Sequence, residues 1–138
     1  MTIERTLGLI KPDGLERGKQ AQVMDRILQK GFKILAMKQI RLTRAQAEGF
    51  YAEHSARPFF DSLCGYMTSG QIIAMVLEKE NAIADWRTLM GATNPAKADP
   101  GTIRKDFAVD MEKNTVHGSD SPTSAAREVP YFFSQLEY

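Results

Sequence analysis

The chain is short of the features that announce many common chemistries. Its single cysteine, Cys64, among 138 residues excludes an internal disulfide and a cysteine-based zinc site. Its longest apolar run, Ile72 to Leu77, is far too short to span a bilayer, which takes about 20 residues. Neither sign of charge dominates: 18 basic residues face 17 acidic ones, for a net charge of +1. A dedicated nucleic-acid binder normally carries a strong basic excess. Glycine-rich phosphate loops are missing as well. The stretch Gly14 to Gln20 places three residues between Gly14 and Gly18 and puts Gln20 after Lys19, whereas a Walker A loop needs four residues there and Ser or Thr after the lysine. A surface turn is the reading, and any bound phosphate must be held by side chains. The N-terminus carries Glu4 and no long apolar core, so it reads as neither signal peptide nor lipidation motif, and a cytoplasmic location is expected.

What is present fits one ordinary domain over residues 1–138, with 43% hydrophobic and 25% charged residues, long enough to bury a core unaided. Thr6 to Ile10 reads as a strand ended by a turn at Lys11-Pro12-Asp13-Gly14. Val23, Met24, Ile27 and Leu28 recur at helical spacing before Gly31. Phe32, Ile34, Ala36 and Ile40 alternate with Lys33 and Lys38 as a half-buried strand. Thr43 with Gln46 forms a capping box for a helix reaching about Tyr51, and Pro58 opens a short helical piece. Ile72 to Leu77 is a fully apolar strand, Asn81 to Met90 a helix, and a last strand is expected near Lys113 to Val116. Ser121 and Pro122 then start a final helix. The order predicts an α+β fold: a ferredoxin-like βαββαβ sandwich, its antiparallel sheet carrying helices on one face. An irregular segment, Gly91 to Lys113, precedes the last strand, and unstructured stretches of that length are usually functional or disordered.

Candidate chemistry centres on Asn114-Thr-Val-His-Gly-Ser-Asp120, which sets one of only two histidines between an apolar run and a turn. A positioned imidazole is a candidate base or nucleophile near pH 7. Glu128 lies about two helical turns beyond the Ser121 cap, from where a carboxylate could return and orient the His117 ring. Arg87 and Arg104 offer planar forks for phosphate oxygens, and Lys11, at a strand end, a compact charge. Tyr51 and His54 are three residues apart, just before Phe59 and Phe60, of which one could be core and one exposed for base stacking. Taken singly, each of these has an ordinary reading as core or solvated surface.

Together they match a family. Ile10-Lys-Pro-Asp-Gly14, Tyr51-Ala-Glu-His-Ser-Ala-Arg-Pro-Phe-Phe60, Thr68-Ser-Gly70, Met90-Gly-Ala-Thr-Asn-Pro95, Pro100-Gly-Thr-Ile-Arg104 and Asn114 to Asp120 occur in register and in order, and the sequence resembles nucleoside diphosphate kinases over its full length. The resemblance implies a ping-pong phosphotransferase that moves the γ-phosphoryl group of a nucleoside triphosphate, typically ATP, to a nucleoside diphosphate through a phosphohistidine. It implies His117 as nucleophile through Nδ1, Glu128 bonded to the opposite nitrogen, and Ser119 supporting that pair. Lys11 and Asn114 would hold the ribose, with Lys11 also near the transferring group. Arg87, Thr93 and Arg104 would clamp phosphates. Phe59, Leu63 and Met111 would form the base slot, with Tyr51 and His54 flanking the phosphates. Mg2+ would ride on the substrate phosphates, with no direct protein ligand and Asp120 reaching it through water. The family forms tetramers or hexamers built from a common dimer, so a homo-oligomer is expected. Ala21-Gln22 and Gln71 depart from common family residues without touching the chemistry. A catalytically silent scaffold or a nucleotide-sensing module of the same fold is the alternative.

Overall fold

The computed structural model describes residues 2–138; Met1, the first residue of the expected domain, lies outside the described residues. Four strands, β1 (Ile3–Ile10), β2 (Lys33–Ile40), β3 (Ile72–Glu80) and β4 (Val116–Gly118), form one sheet in the order β2-β3-β1-β4. Every neighbouring pair is antiparallel. The helices are α1 (Pro12–Glu16), α2 (Gln20–Gln29), α3 (Arg44–Phe50), α4 (Phe60–Met67), α5 (Ala82–Met90), α6 (Ile103–Phe107) and α7 (Pro122–Phe132).

The expected helical layer on one face is there, and the other face is covered too. Strand side chains alternate between faces, and β3 is apolar at every position from Ile72 to Leu77, so both its faces need cover. On one side Ile73, Met75 and Leu77 pack with Val23 and Ile27 of α2, Trp86 and Leu89 of α5, and Ile103 of α6. On the other, Leu7, Leu9, Ala74 and Val76 pack with Phe50 of α3, Cys64 and Met67 of α4, and Val129 and Phe132 of α7. Two cores back onto one central sheet.

Local rules account for most element ends. Thr43 Oγ1 accepts from Gln46 N–H at 3.1 Å while Gln46 returns its side-chain oxygen to Thr43 N–H at 2.9 Å, the expected capping box of α3. Ser121 caps α7 at 3.1 Å, with Pro122 at its first position. Three readings change. The turn after β1 is the one-turn helix α1, started by Pro12. The alternation expected through β2 slips at a bulge between Ile34 and Ala36, which sends Ile34 to one core and Ala36 and Ile40 to the other. The last strand begins at Val116 because Thr115 has φ of 75°, which no strand accommodates. The irregular segment holds a 3-10 turn, Pro95–Lys97, and α6.

Candidate active site

β4 is short, but it is fixed from several sides. Leu9 pairs with His117 and Gly8 with Gly118 across to β1. The Trp86 indole N–H donates to the His117 carbonyl at 3.2 Å. Gly118 lies so close under that indole that a Cβ there would run into it, so glycine is required for the approach. The His117 ring stands edge-on to Phe50, centroids 5.3 Å apart, and to Tyr51 at 6.3 Å.

The ring's far nitrogen is engaged. His117 Nε2 lies 2.9 Å from Glu128 Oε1, and Ser119 Oγ donates to the same oxygen at 3.1 Å. Glu128 and Ser119 are buried. A carboxylate accepts only, so in the neutral ring Nε2 carries the hydrogen and Nδ1 keeps its lone pair. Helix α7, started by its Ser121 cap, delivers Glu128 to this position.

The chain entering β4 is strained and pinned. Val116 N–H donates to Asn114 O at 2.8 Å, closing a γ-turn about Thr115, whose positive φ is uncommon for a β-branched residue and costs of order 1–3 kcal/mol. Buried Asp13 holds it: Thr115 N–H donates to Asp13 Oδ1 at 3.2 Å and Thr115 Oγ1 to Oδ2 at 2.8 Å. The Tyr66 hydroxyl also donates to Asp13 Oδ1, and Lys11 N–H donates to Thr115 O at 2.7 Å. Asp13, Thr115, Tyr66 and Trp86 were beyond sequence reasoning. Asp13 sits inside a recognised motif, but its partners Tyr66 and Thr115 are 53 and 102 residues away.

A cleft of about 590 Å³ opens beside His117, and Lys11, Arg87, Thr93, Arg104, Asn114 and Glu128 line it. Lys11 is buried, and its Nζ donates to Asn114 Oδ1 at 2.8 Å. Burial, then the charge of Arg104, lowers the Lys11 pKa to about 8. Arg104 donates to Gly91 O at 3.0 Å and Val116 O at 2.8 Å, while its buried Nε has no partner among the described residues. Burial and the neighbouring Arg87 charge bring its pKa down to about 10. Both shifts arise first from burial and only second from a neighbouring cation, and an anion in the cleft would offset both. Asn114 Nδ2 donates to the carbonyls of Thr93 and Met111 at 3.3 and 3.0 Å. Arg87 is held by Asp120 at 2.6 Å, with both side chains largely exposed.

The outer end of the cleft is apolar. Phe59 is 44% exposed and Met111 60%, and half-buried Leu63 lines the cleft with them. Phe60 packs into the core, so the two adjacent phenylalanines divide as expected. His54 leans on Phe59 at 5.7 Å. Tyr51 is buried, its hydroxyl without a partner among the described residues, and burial, then the Glu128 charge, pushes its pKa well above the tyrosine range. Every sequence-identified site residue except Ser119 lines this one cleft, and Ser119 lies directly behind it on Glu128. Among the described residues no group of three or more His, Cys, Asp or Glu could hold a metal ion, and no helix is long and apolar enough to cross a membrane.

Comparison with known proteins points to one family. The family model described as nucleoside diphosphate kinase matches residues 4–138. The nucleoside diphosphate kinase of Geobacter sp. (strain M21) is 62% identical over 135 residues, 98% of each chain, and that of Geobacter sulfurreducens is 56% identical over the same share. The crystal structure of the Aquifex aeolicus nucleoside diphosphate kinase superposes with a TM-score of 0.97 at 44% identity, covering 99% of both chains. A solved structure of the Halobacterium salinarum nucleoside diphosphate kinase in complex with CDP gives 0.95 at 41% identity, covering 99% of this chain and 91% of that one. The fold, the full-length match and these relatives show that the chain belongs to the nucleoside diphosphate kinase family of phosphotransferases.

Proposed function

We propose that the domain spanning 1–138 exchanges γ-phosphoryl groups between nucleoside triphosphates, typically ATP, and nucleoside diphosphates by a ping-pong route through His117. The observation that carries this reading is the His117–Glu128 pair at 2.9 Å, which commits Nε2 and leaves the Nδ1 lone pair for attack. Nδ1 forms a bond to the γ-phosphorus as the bond to the β,γ-bridging oxygen breaks. The diphosphate departs, and a second diphosphate takes the group by the reverse step. As a phosphohistidine forms, the ring gains positive character, which Glu128, steadied by Ser119, stabilises.

Phosphoryl transfer depends on positioning and on neutralising charge on three equatorial oxygens. Arg104 and Lys11 supply fixed charge from the cleft floor. Arg87 would exchange Asp120 for phosphate, and Thr93 would close the clamp. The Asn114 amide, tied to Lys11, presents both toward the ribose hydroxyls, and Tyr51 and His54 border the phosphates. Phe59 would stack on the base against Leu63 and Met111. Mg2+ fits this cleft as an ion carried on the nucleotide phosphates, where it would neutralise oxygen charge, with Asp120 as the carboxylate within reach through water. Both substrates are cytoplasmic metabolites, and we place the activity there. We assign a homo-oligomer built from dimers, supported by the sheet's open β2 edge and by exposed Met37 on that strand.

Incubation with γ-labelled ATP and Mg2+ should leave acid-labile, base-stable label on His117 that chases into triphosphate when GDP is added. His117→Ala should take no label and lose exchange with its fold intact; retained turnover would sink the mechanism.

A further inference from the structure

The cleft is zoned by charge. Its inner end, beside His117, is cationic through Lys11, Arg87 and Arg104, whereas its otherwise apolar outer end carries one carboxylate, Glu112, that acts on Lys11 only from beyond ion-pair distance. Glu112 lines the cleft next to Met111, and Ser62 on α4 reaches across to it, with Oγ lying 2.9 and 3.1 Å from the two Glu112 oxygens. Ser62 stands between Phe59 and Leu63 in sequence, so this contact joins the two walls of the apolar slot. No cation pairs with Glu112 among the described residues, although Arg127 across the cleft pairs with Glu53 at 3.4 Å.

The arm that carries Glu112 is rigid. Asp110 Oδ1 accepts from the backbone N–H of Glu112 at 2.9 Å and of Lys113 at 2.8 Å, a local turn that fixes the backbone. Asn114 holds the Met111 carbonyl from the other side. Glu112 is itself half-buried, so its carboxylate is placed rather than free to sweep through solvent.

We infer that Glu112, anchored by Ser62, is a specificity-determining residue that reads the edge of the nucleobase. This rests on the proposed slot, with the base between Phe59 and Met111. An ionised carboxylate only accepts hydrogen bonds. Guanine offers it a ring N–H beside an amino group, and adenine and cytosine each offer an amino group. Uracil and thymine flank their single N–H with two carbonyl oxygens, which a carboxylate repels. The slot therefore tolerates every base by stacking and ranks them by edge, with guanine first and uracil and thymine last.

The test is kcat/KM for GDP, CDP, UDP and thymidine diphosphate with one fixed triphosphate donor. The wild type should favour GDP over UDP roughly two- to tenfold, the range that one net hydrogen bond supplies. Glu112→Gln replaces an acceptor with a group that also donates, so the GDP:UDP ratio should fall toward one, chiefly by a gain for UDP. Ser62→Ala should shift the ratio in the same direction. Ratios compare substrates within one preparation, so they do not depend on how much of a variant is folded.

A change common to all bases would make the Ser62–Glu112 contact a structural clasp, and unchanged ratios would remove it from recognition; either overturns the inference. Phe59→Ala separates this result from the slot itself. A roughly five- to hundredfold loss of affinity for every base, with ratios unmoved in Glu112→Gln, leaves the slot standing and only the edge reading lost. Unchanged affinity in Phe59→Ala would remove the base from the slot and both readings with it.

Discussion

Lys11 shows how one buried residue ties binding to pH. Its ammonium is desolvated and sits near Arg104, and these bring its pKa from 10.5 to about 8. Below pH 8 it is charged and available to an anionic nucleotide; above, it is increasingly neutral. Nucleotide affinity should therefore fall between pH 7 and pH 9, as titration calorimetry would show. Stability moves the other way. Between about pH 8 and 10.5 the unfolded chain holds the lysine proton more tightly than the folded one, so this group's contribution to folding stability rises with pH over that window. Affinity that stays flat across pH 8 would mean that Lys11 charge is not used in binding. His117, Lys11 and Arg104 could be picked out in the sequence because they sit inside recognisable motifs, Glu128 because it lies about two helical turns beyond the Ser121 cap, and Arg87 because a planar fork suits phosphate oxygens. Asp13 could not, since its worth lies in bonds to Thr115 and Tyr66 that only the folded chain brings near.

At the scale of elements, α7 is the strut that positions Glu128. Its Ser121 cap accepts from Ser124 N–H at 3.1 Å, and Ser121→Ala should cost about 1 kcal/mol of stability, read from denaturant midpoints. Loosening this strut should also slow phosphorylation of His117; a stability loss with an unchanged phosphorylation rate would separate the cap from the site. Both this cap and the Thr43–Gln46 box were legible because capping uses side chains within three residues of one another. Helix α1 was not, because a single turn with Pro12 at its start and Gly14 inside carries the same residues as a turn. The bulge in β2 was hidden too: Leu35 continues an apolar run, and only pairing with β3 shows that one residue is extra. The start of β4 was displaced by Thr115, since a threonine gives no warning of a positive φ.

For the whole molecule, the decisive feature is a sheet with helices on both faces and open backbone at its edges. The long apolar run of β3 held the clue to cover on both sides, because a strand with one wet face alternates. β4 is only three residues long, but β2 runs the eight residues Lys33–Ile40 and is an exposed edge, which proteins normally cover or pair. Sedimentation at micromolar concentration should show a multimer whose mass is an even multiple of the 15.4 kDa chain. A charged residue in place of Met37, 52% exposed on that strand, should shift the distribution toward smaller species. A monomer in the wild-type protein would overturn the assembly proposed for it.

The packing of Trp86 beneath β4 gives the molecule a built-in optical reporter. It is the only tryptophan in the sequence, it is fully buried, and its indole N–H ends on the carbonyl of His117. Indole emission responds to the field along its ring and to the strength of its hydrogen bond, and a phosphoryl group on the His117 ring, as proposed above, would change both. Half-reactions of the proposed route would then be followed in a stopped-flow cell without labels, donor and acceptor steps separately, from a residue that takes no part in the chemistry.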